Sequence, residues 1–238
     1  MRQLALPFAH APRFRAEDFI AAPSNAEARA WLDRRTSWPG GRLAIYGDEG
    51  SGKSHLLHLW AARQNAVQLS GPALRILPKP GETGPLVIDD ADAAPDEAIL
   101  LHLLNLAAED ARPVLLAGRL APAHWPVRLP DLASRLRAIS AVLLKPAEDD
   151  LLQALLARLL SDRQLLLPES LQVWMLTRLP RHPAALREAV ARLDRQTLAE
   201  GRRVTRAGAA AVLAEICAEN DDFDNSPPLL STNPASLL

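Results

Sequence analysis

The sequence predicts an α/β protein, in which a five-stranded parallel sheet carries a phosphate-binding loop and a smaller all-helical unit follows. Three observations predict it. Five short apolar runs, at 42–46, 66–70, 85–90, 112–118 and 138–144, are separated by helical or loop material. "GDEGSGKS" (Gly47–Ser54) fits G-x-x-x-x-G-K-[ST] at every required position, between a strand and a helix. From Pro146 onward the strand signal stops and only helical periodicity remains.

Each element follows from its residues. "AEARAWLDRR" (26–35), preceded by the capping residues Ser24 and Asn25, reads as a first helix. The apolar runs are continuous rather than alternating, which predicts strands covered on both faces. "KSHLLHLWAARQ" and "DEAILLHLLNLAAEDA" supply crossover helices and complete the βαβ rhythm. "ILPKPGETGP" (76–85) reads as a Pro/Gly loop. Beyond it, helices are predicted over about 148–163, 169–179, 183–199 and 205–219. Leu171, Trp174 and Met175 share one face, and Leu186, Val190 and Leu193 share another. The expected organisation is an N-terminal arm (1–15), an α/β nucleotide-binding domain (16–145), a helical lid domain (146–220) and a mobile tail (221–238).

Composition narrows the function classes. At 238 residues and 48% hydrophobic, the chain buries a full core. Its net charge of −1 gives no global attraction to nucleic acid or to an anionic membrane. The single cysteine, Cys217, excludes an internal disulfide framework and fits a reducing cytoplasm. No apolar run approaches the roughly 20 residues of a membrane span. His55 and His58 lie three apart on one helix, but no third ligand has sensible spacing, so no metal site is expected from them.

The loop carries the chemistry. Glycines let successive N–H groups converge on one anion, and the following helix adds its positive end. Gly47, Asp48, Glu49, Gly50, Ser51, Gly52, Lys53 and Ser54 are therefore the expected nucleotide-binding set, with ADP or ATP as ligand. Lys53 is expected to reach the β- and γ-phosphates, and the Ser54 hydroxyl to ligate Mg2+. "LVIDDAD" (Leu86–Asp92) ends a strand in carboxylates at the edge where open α/β sheets bind ligands. Asp89 is the expected Mg2+ partner. Asp90 is the candidate to polarise an attacking water, while Asp92 has the simpler reading of a cap on the next helix.

At this point the sequence resembles the AAA+ ATPases, and within them the DnaA group and its short Hda-type regulators. The similarity rests on "EDFIAAPSNAEARAWL" (17–32), "GDEGSGKSHLLHL", "VIDDAD", "DLASRLRAIS" (131–140) and "HPAALREAVARLD" (182–194). The resemblance implies that Phe19 and Ile20 lie near the adenine. It also implies that Arg135 is an arginine finger acting on a partner's nucleotide, and Arg187 a nucleotide sensor in the lid. Two departures stand out. Where the family carries a polar residue at the end of the fourth strand, this chain has "LLAGRL", with Gly118 and Arg119, so its own ATP hydrolysis is expected to be weak or absent. Only the polar tail follows Glu219, where DnaA proteins carry a helix-turn-helix, so direct sequence-specific DNA binding is not expected.

The opening "MRQLALPF" is an apolar octapeptide at a terminus, too short for a signal peptide and broken by Pro7. Within it, Gln3, Leu4, Leu6, Pro7 and Phe8 resemble the short peptides that bind the bacterial sliding clamp, the β subunit of DNA polymerase III. An arm packed against the protein's own sheet, or against a second copy in a dimer or other homo-oligomer, is the competing reading. The function expected from the resemblance is a negative regulator of replication initiation, docked on the clamp and stimulating ATP hydrolysis by DnaA. Two alternatives stay open: an adaptor or loader that recruits DnaA or a helicase without stimulating hydrolysis, and a self-contained P-loop ATPase or kinase.

Overall fold

The computed structural model describes residues 19–76, 84–200 and 203–224. The clamp-type peptide Gln3–Phe8, the rest of the 1–15 arm, most of the 76–85 loop and the tail beyond residue 224 lie outside the described residues. The described chain separates into two compact units. One comprises residues 19–155 together with Arg181–Ala184, and the other Leu156–Pro180 and the chain from Ala185 onward.

In the first unit, five strands form one parallel sheet: β1 (Arg42–Tyr46), β2 (Val67–Ser70), β3 (Leu86–Asp89), β4 (Val114–Gly118) and β5 (Ser140–Leu143). Their spatial order is β2-β3-β4-β1-β5, so β4 sits between β1 and β3. Because side chains alternate across a strand, the two faces of the sheet can be read off residue by residue. Leu43 and Ile45 of β1, Val87 of β3, and Leu115 and Ala117 of β4 pack with α1 (Pro23–Asp33) and α2 (Lys53–Gln64). Ala44, Leu86, Ile88, Val114 and Leu116 pack on the other side with α3 (Glu97–Glu109) and α4 (Pro130–Arg137). The expected burial on both faces holds for β1, β3 and β4. It does not hold for β2 and β5, whose alternating exposure is that of edge strands with one neighbour each.

Two details depart from the local sequence signals. Helix α1 starts at Pro23, three residues before the expected Ala26. Proline at the first helical position is pre-set for helix geometry, and Asn25 acts from inside the first turn, where its Oδ1 accepts the Ala22 N–H at 3.1 Å. The cap of α3 is Asp96, whose Oδ1 accepts the N–H groups of Ala98 and Ile99, rather than Asp92. A contact invisible to local pattern fixes α4. The Glu97 carboxylate accepts the backbone N–H groups of Arg128 and Leu129 at 2.9 and 2.8 Å, which ties the start of α4 to the start of α3.

The second unit contains the end of α5 (Asp149–Asp162), α6 (Glu169–Leu176), most of α7 (Pro183–Glu200) and α8 (Arg206–Asp224). Leu186, Val190 and Leu193 are buried, as their spacing predicts, together with Leu171 and Met175. Trp174 is only half-buried, with the guanidinium carbons of Arg178 and Arg206 at 4.7 and 5.5 Å from the ring centroid. The last helix continues to Asp224, past the predicted end at 219. Among the described residues, no helix is long and apolar enough to cross a membrane.

If Glu97 holds α4 in place, Glu97→Ala should lower stability by about 1–2 kcal/mol, the scale of a lost charged helix cap. Urea unfolding followed by circular dichroism measures this, and the slope of the transition should stay unchanged.

Candidate functional site

Parallel strands end at one edge of the sheet, and the segments that follow β1, β3 and β4 therefore converge there. After β1 the chain turns through Gly47–Ser54 into α2. Gly50 and Gly52 hold φ of 73° and 110°, a region that side chains rarely adopt, and Gly52 is the residue that opens α2. Gly50 also lies against Arg181–Ala184. A Cβ there would fall 2.6 Å from His182 Nδ1 and 2.8 Å from the Ala184 Cβ. Arg181 in turn pairs with Asp149. The first intrahelical bond of α2 runs from Leu56 N–H to the Gly52 carbonyl, so the N–H groups of the preceding residues face outward at the positive end of the helix.

Lys53 is the centre of this arrangement. It is 6% exposed, and its Nζ donates to the Gly47 and Asp48 carbonyls at 2.8 Å each. Burial pulls its proton affinity below the ordinary lysine value, and Asp90, Asp89 and Asp92 oppose that shift. The Ser51 Oγ is buried without a hydrogen-bond partner among the described residues. A buried ammonium, an unpartnered hydroxyl and a helix N-terminus around one turn fit the phosphates of a nucleotide. The Ser54 and Asp89 oxygens are hard donors suited to Mg2+.

The carboxylates follow β3. Asp89 Oδ1 accepts the Asp90 N–H at 3.1 Å. Asp90 adopts φ 49°, a left-handed conformation that turns the chain sharply after the strand. Partial desolvation, and then the charges of Asp89 and Asp92, raise the Asp90 carboxyl above its ordinary value. Asp92 Oδ2 accepts the N–H of Arg119, at the end of β4, at 2.7 Å. Across the same edge, the Arg119 guanidinium pairs with Glu49 of the phosphate loop.

The remaining sequence-predicted residues fall in three places. Phe19 stands edge-on to His55 of α2, with ring centroids 5.3 Å apart at 87°. The Ile20 carbonyl accepts from Asn25 Nδ2 at 3.0 Å, which ties this segment to α1. His58 shares a hydrogen bond with the Ser54 carbonyl, and no group of three or more His, Cys, Asp or Glu is placed to hold a metal among the described residues. Arg135 is not at the loop. It is close enough to Arg42, the first residue of β1, to depress that guanidinium's proton affinity, second to burial itself. The loop leaves β1 at its other end, four residues and about 13 Å away along the strand. Arg187 lies half-buried on α7 in the helical unit, where the adjacent Glu188 pairs with Arg192 and Arg195. The site residues missed by sequence reasoning are Arg119, as a neighbour of the loop, and Asp92, as its anchor. The one signal for Arg119 was its position directly after a strand that ends at the loop's edge.

No model of a known protein family matches the chain. Among solved structures, domain III of the replication initiation protein DnaA from Thermotoga maritima superposes with a TM-score of 0.71 at 19% identity. That match covers 87% of this chain and 98% of the other. AMPPCP-bound DnaA from Aquifex aeolicus gives a TM-score of 0.63 at 17% identity, over 90% of this chain and 71% of the other. The Holliday junction branch migration motor RuvB of Thermotoga maritima gives 0.56 at 17% identity, over 82% and 69%. The fold is the AAA+ fold of DnaA and RuvB. At these identities the likeness fixes the architecture alone.

The raised Asp90 carboxyl has a consequence for stability. A carboxyl held above its unfolded value favours the folded state while protonated, and that contribution is lost as pH rises through its folded value. Asp90→Asn should therefore melt at a higher temperature than the parent at pH 7. The difference should close as pH falls below the carboxylate range, which thermal melts across pH will show.

Proposed function

We propose that this chain is a nucleotide-bound AAA+ regulator of replication initiation. In this reading it docks on the sliding clamp through Gln3, Leu4, Leu6, Pro7 and Phe8, and offers Arg135 to the ATP held by DnaA. Gly47–Ser54 would hold ADP or ATP. Ser54 and Asp89 would hold Mg2+, which neutralises phosphate charge when bound. Phe19 and Ile20 would lie by the base, and Arg187 would sense the nucleotide from the helical unit.

The observation that carries this reading is the separation of Arg135 from the chain's own loop. Helix α4 leads into β5, whose Ser140 pairs with Leu43 near the start of β1. The last turn of α4, with Arg135, therefore lies at the N-terminal edge of the strands, whereas Lys53 and the carboxylates lie beyond the C-terminal edge. A guanidinium on the edge away from its own loop is where a residue acting on a neighbour's nucleotide would sit. Glu97 supports it indirectly, by fixing the start of the helix whose last turn carries Arg135. Within the site, Lys53 would position the phosphates, and Asp90 would be the residue nearest in role to a base. With Gly118 at the end of β4, little else is available to orient a water, which fits a chain that binds nucleotide and turns it over slowly or not at all.

Phosphate release tests the proposal directly. ATP-loaded DnaA is incubated with clamp, DNA and this protein, and with its Arg135→Ala variant. Stimulation by the parent that falls by about 10³-fold or more in the variant is the expected outcome for a trans-acting arginine. Docking without stimulation would favour an adaptor, and steady turnover of a metabolite by the isolated chain would favour a self-contained enzyme. A clamp pull-down tests the other half. Gln3→Ala, and the Leu6→Ala/Phe8→Ala pair more severely, should reduce retention. Equal retention of all three proteins would assign the octapeptide to packing.

A further inference from the structure

The end of β4 is closed to side chains. A Cβ on Gly118 would lie 2.9 Å from the Trp125 ring and 3.1 Å from the Asp92 carboxyl carbon, and Trp125 is itself buried and pinned by its Nε1 to the Leu120 carbonyl. No polar residue can be accommodated at 118 without moving that indole. The cation one residue further on is held differently. Arg119 is fixed at its backbone by Asp92, yet its side chain is 65% exposed, and its guanidinium reaches Glu49, whose side chain is 70% exposed, in the middle of the phosphate loop. Arg119 also acts electrostatically on Lys53 and Asp90, so its charge is felt throughout the site.

An exposed ion pair of this kind is worth little, because both partners are well solvated. It yields readily to a partner of higher charge. A guanidinium matches the oxygens of a phosphate in a planar, two-pronged contact that a carboxylate alone does not exhaust. The anchoring of the Arg119 backbone, together with the freedom of its side chain, lets the head group exchange partners while its root stays in place.

We propose that Glu49 and Arg119 form a charge latch over the phosphate loop. When a nucleoside triphosphate binds, Arg119 leaves Glu49 and pairs with the terminal phosphate, so that this pair, rather than a side chain at position 118, distinguishes triphosphate from diphosphate. The inference rests on the reading that Gly47–Ser54 holds a nucleotide. Glu49 has the opposite effect from Arg119: it competes for the guanidinium and repels the incoming phosphate, lowering triphosphate affinity. The two residues therefore give substitutions of opposite sign.

The test is equilibrium titration of the full chain with fluorescently labelled ATP and ADP in the presence of Mg2+. Arg119→Ala should weaken ATP by about ten- to a hundredfold, the value of one charge-assisted contact, and change ADP far less. Glu49→Gln should tighten ATP by about two- to fivefold relative to ADP, the scale of an exposed pair released. In the double variant most of the gain from Glu49→Gln should vanish. Lys53→Ala should weaken both nucleotides and serves as the control for the loop. If the parent binds both nucleotides and neither single variant alters the ATP-to-ADP ratio, the latch is overturned while the loop assignment survives. If the parent binds neither nucleotide, both fall. Should Arg119→Ala lose its thermal transition, Glu49→Gln decides alone, and an unchanged ratio overturns the latch.

Discussion

The parallel alignment of three buried strands is the constraint on which the rest of this unit depends. β4 lies between β1 and β3 and is buried along its whole length, with helices covering both faces. Such strands cannot slip by one residue, because a slip would carry each apolar side chain to the opposite layer. Tyr46, Asp89 and Gly118 are thereby fixed at one edge, and the segments following them meet there. The phosphate loop, the carboxylates and Arg119 are consequences of that register, contributed by residues far apart in sequence. Arg135 is a consequence too, since the same register sends the end of α4 to the opposite edge.

Charge at the loop edge is kept in balance rather than simply accumulated. Lys53 is buried and gives up part of its proton affinity, which three nearby aspartates restore in part. Asp90 bears the complementary cost, a carboxyl raised first by partial burial and then by the charges of Asp89 and Asp92, on a left-handed backbone turn. Asp92 makes a structural contact to the Arg119 backbone, while Glu49 meets the Arg119 side chain from the other side. The edge thus holds one buried cation at the base of the loop and one exposed cation at its rim. On the proposed latch, that asymmetry would give the site a means of counting phosphates.

How much was legible in the sequence depended on whether the signal was local. The strand 42–46 and the helix that starts at Lys53 were read to the residue, since each is defined by its own composition and its immediate neighbours. The stripe of Leu186, Val190 and Leu193 was legible for the same reason. The edge character of β2 and β5 was not, because strand order is a property of the assembled sheet. The Glu97 clamp on α4 spans 31 residues and the Glu49–Arg119 pair spans 70, and no periodicity links such partners. Helix α1 shows a subtler limit. Ser24 and Asn25 looked like a boundary, but Pro23 started the helix ahead of them and left Asn25 to cap from within.

If Lys53 organises the turn between β1 and α2 as a phosphate site, bound nucleotide protects the amides of that turn. Backbone amide hydrogen exchange, recorded residue by residue with and without Mg2+ and ADP, reads that protection. Exchange should slow at the amides of Gly50 through Ser54 in the parent protein, with no such protection in Lys53→Ala under the same conditions. Unchanged exchange across this turn at saturating nucleotide, or equal protection in both proteins, would contradict a phosphate site organised by Lys53.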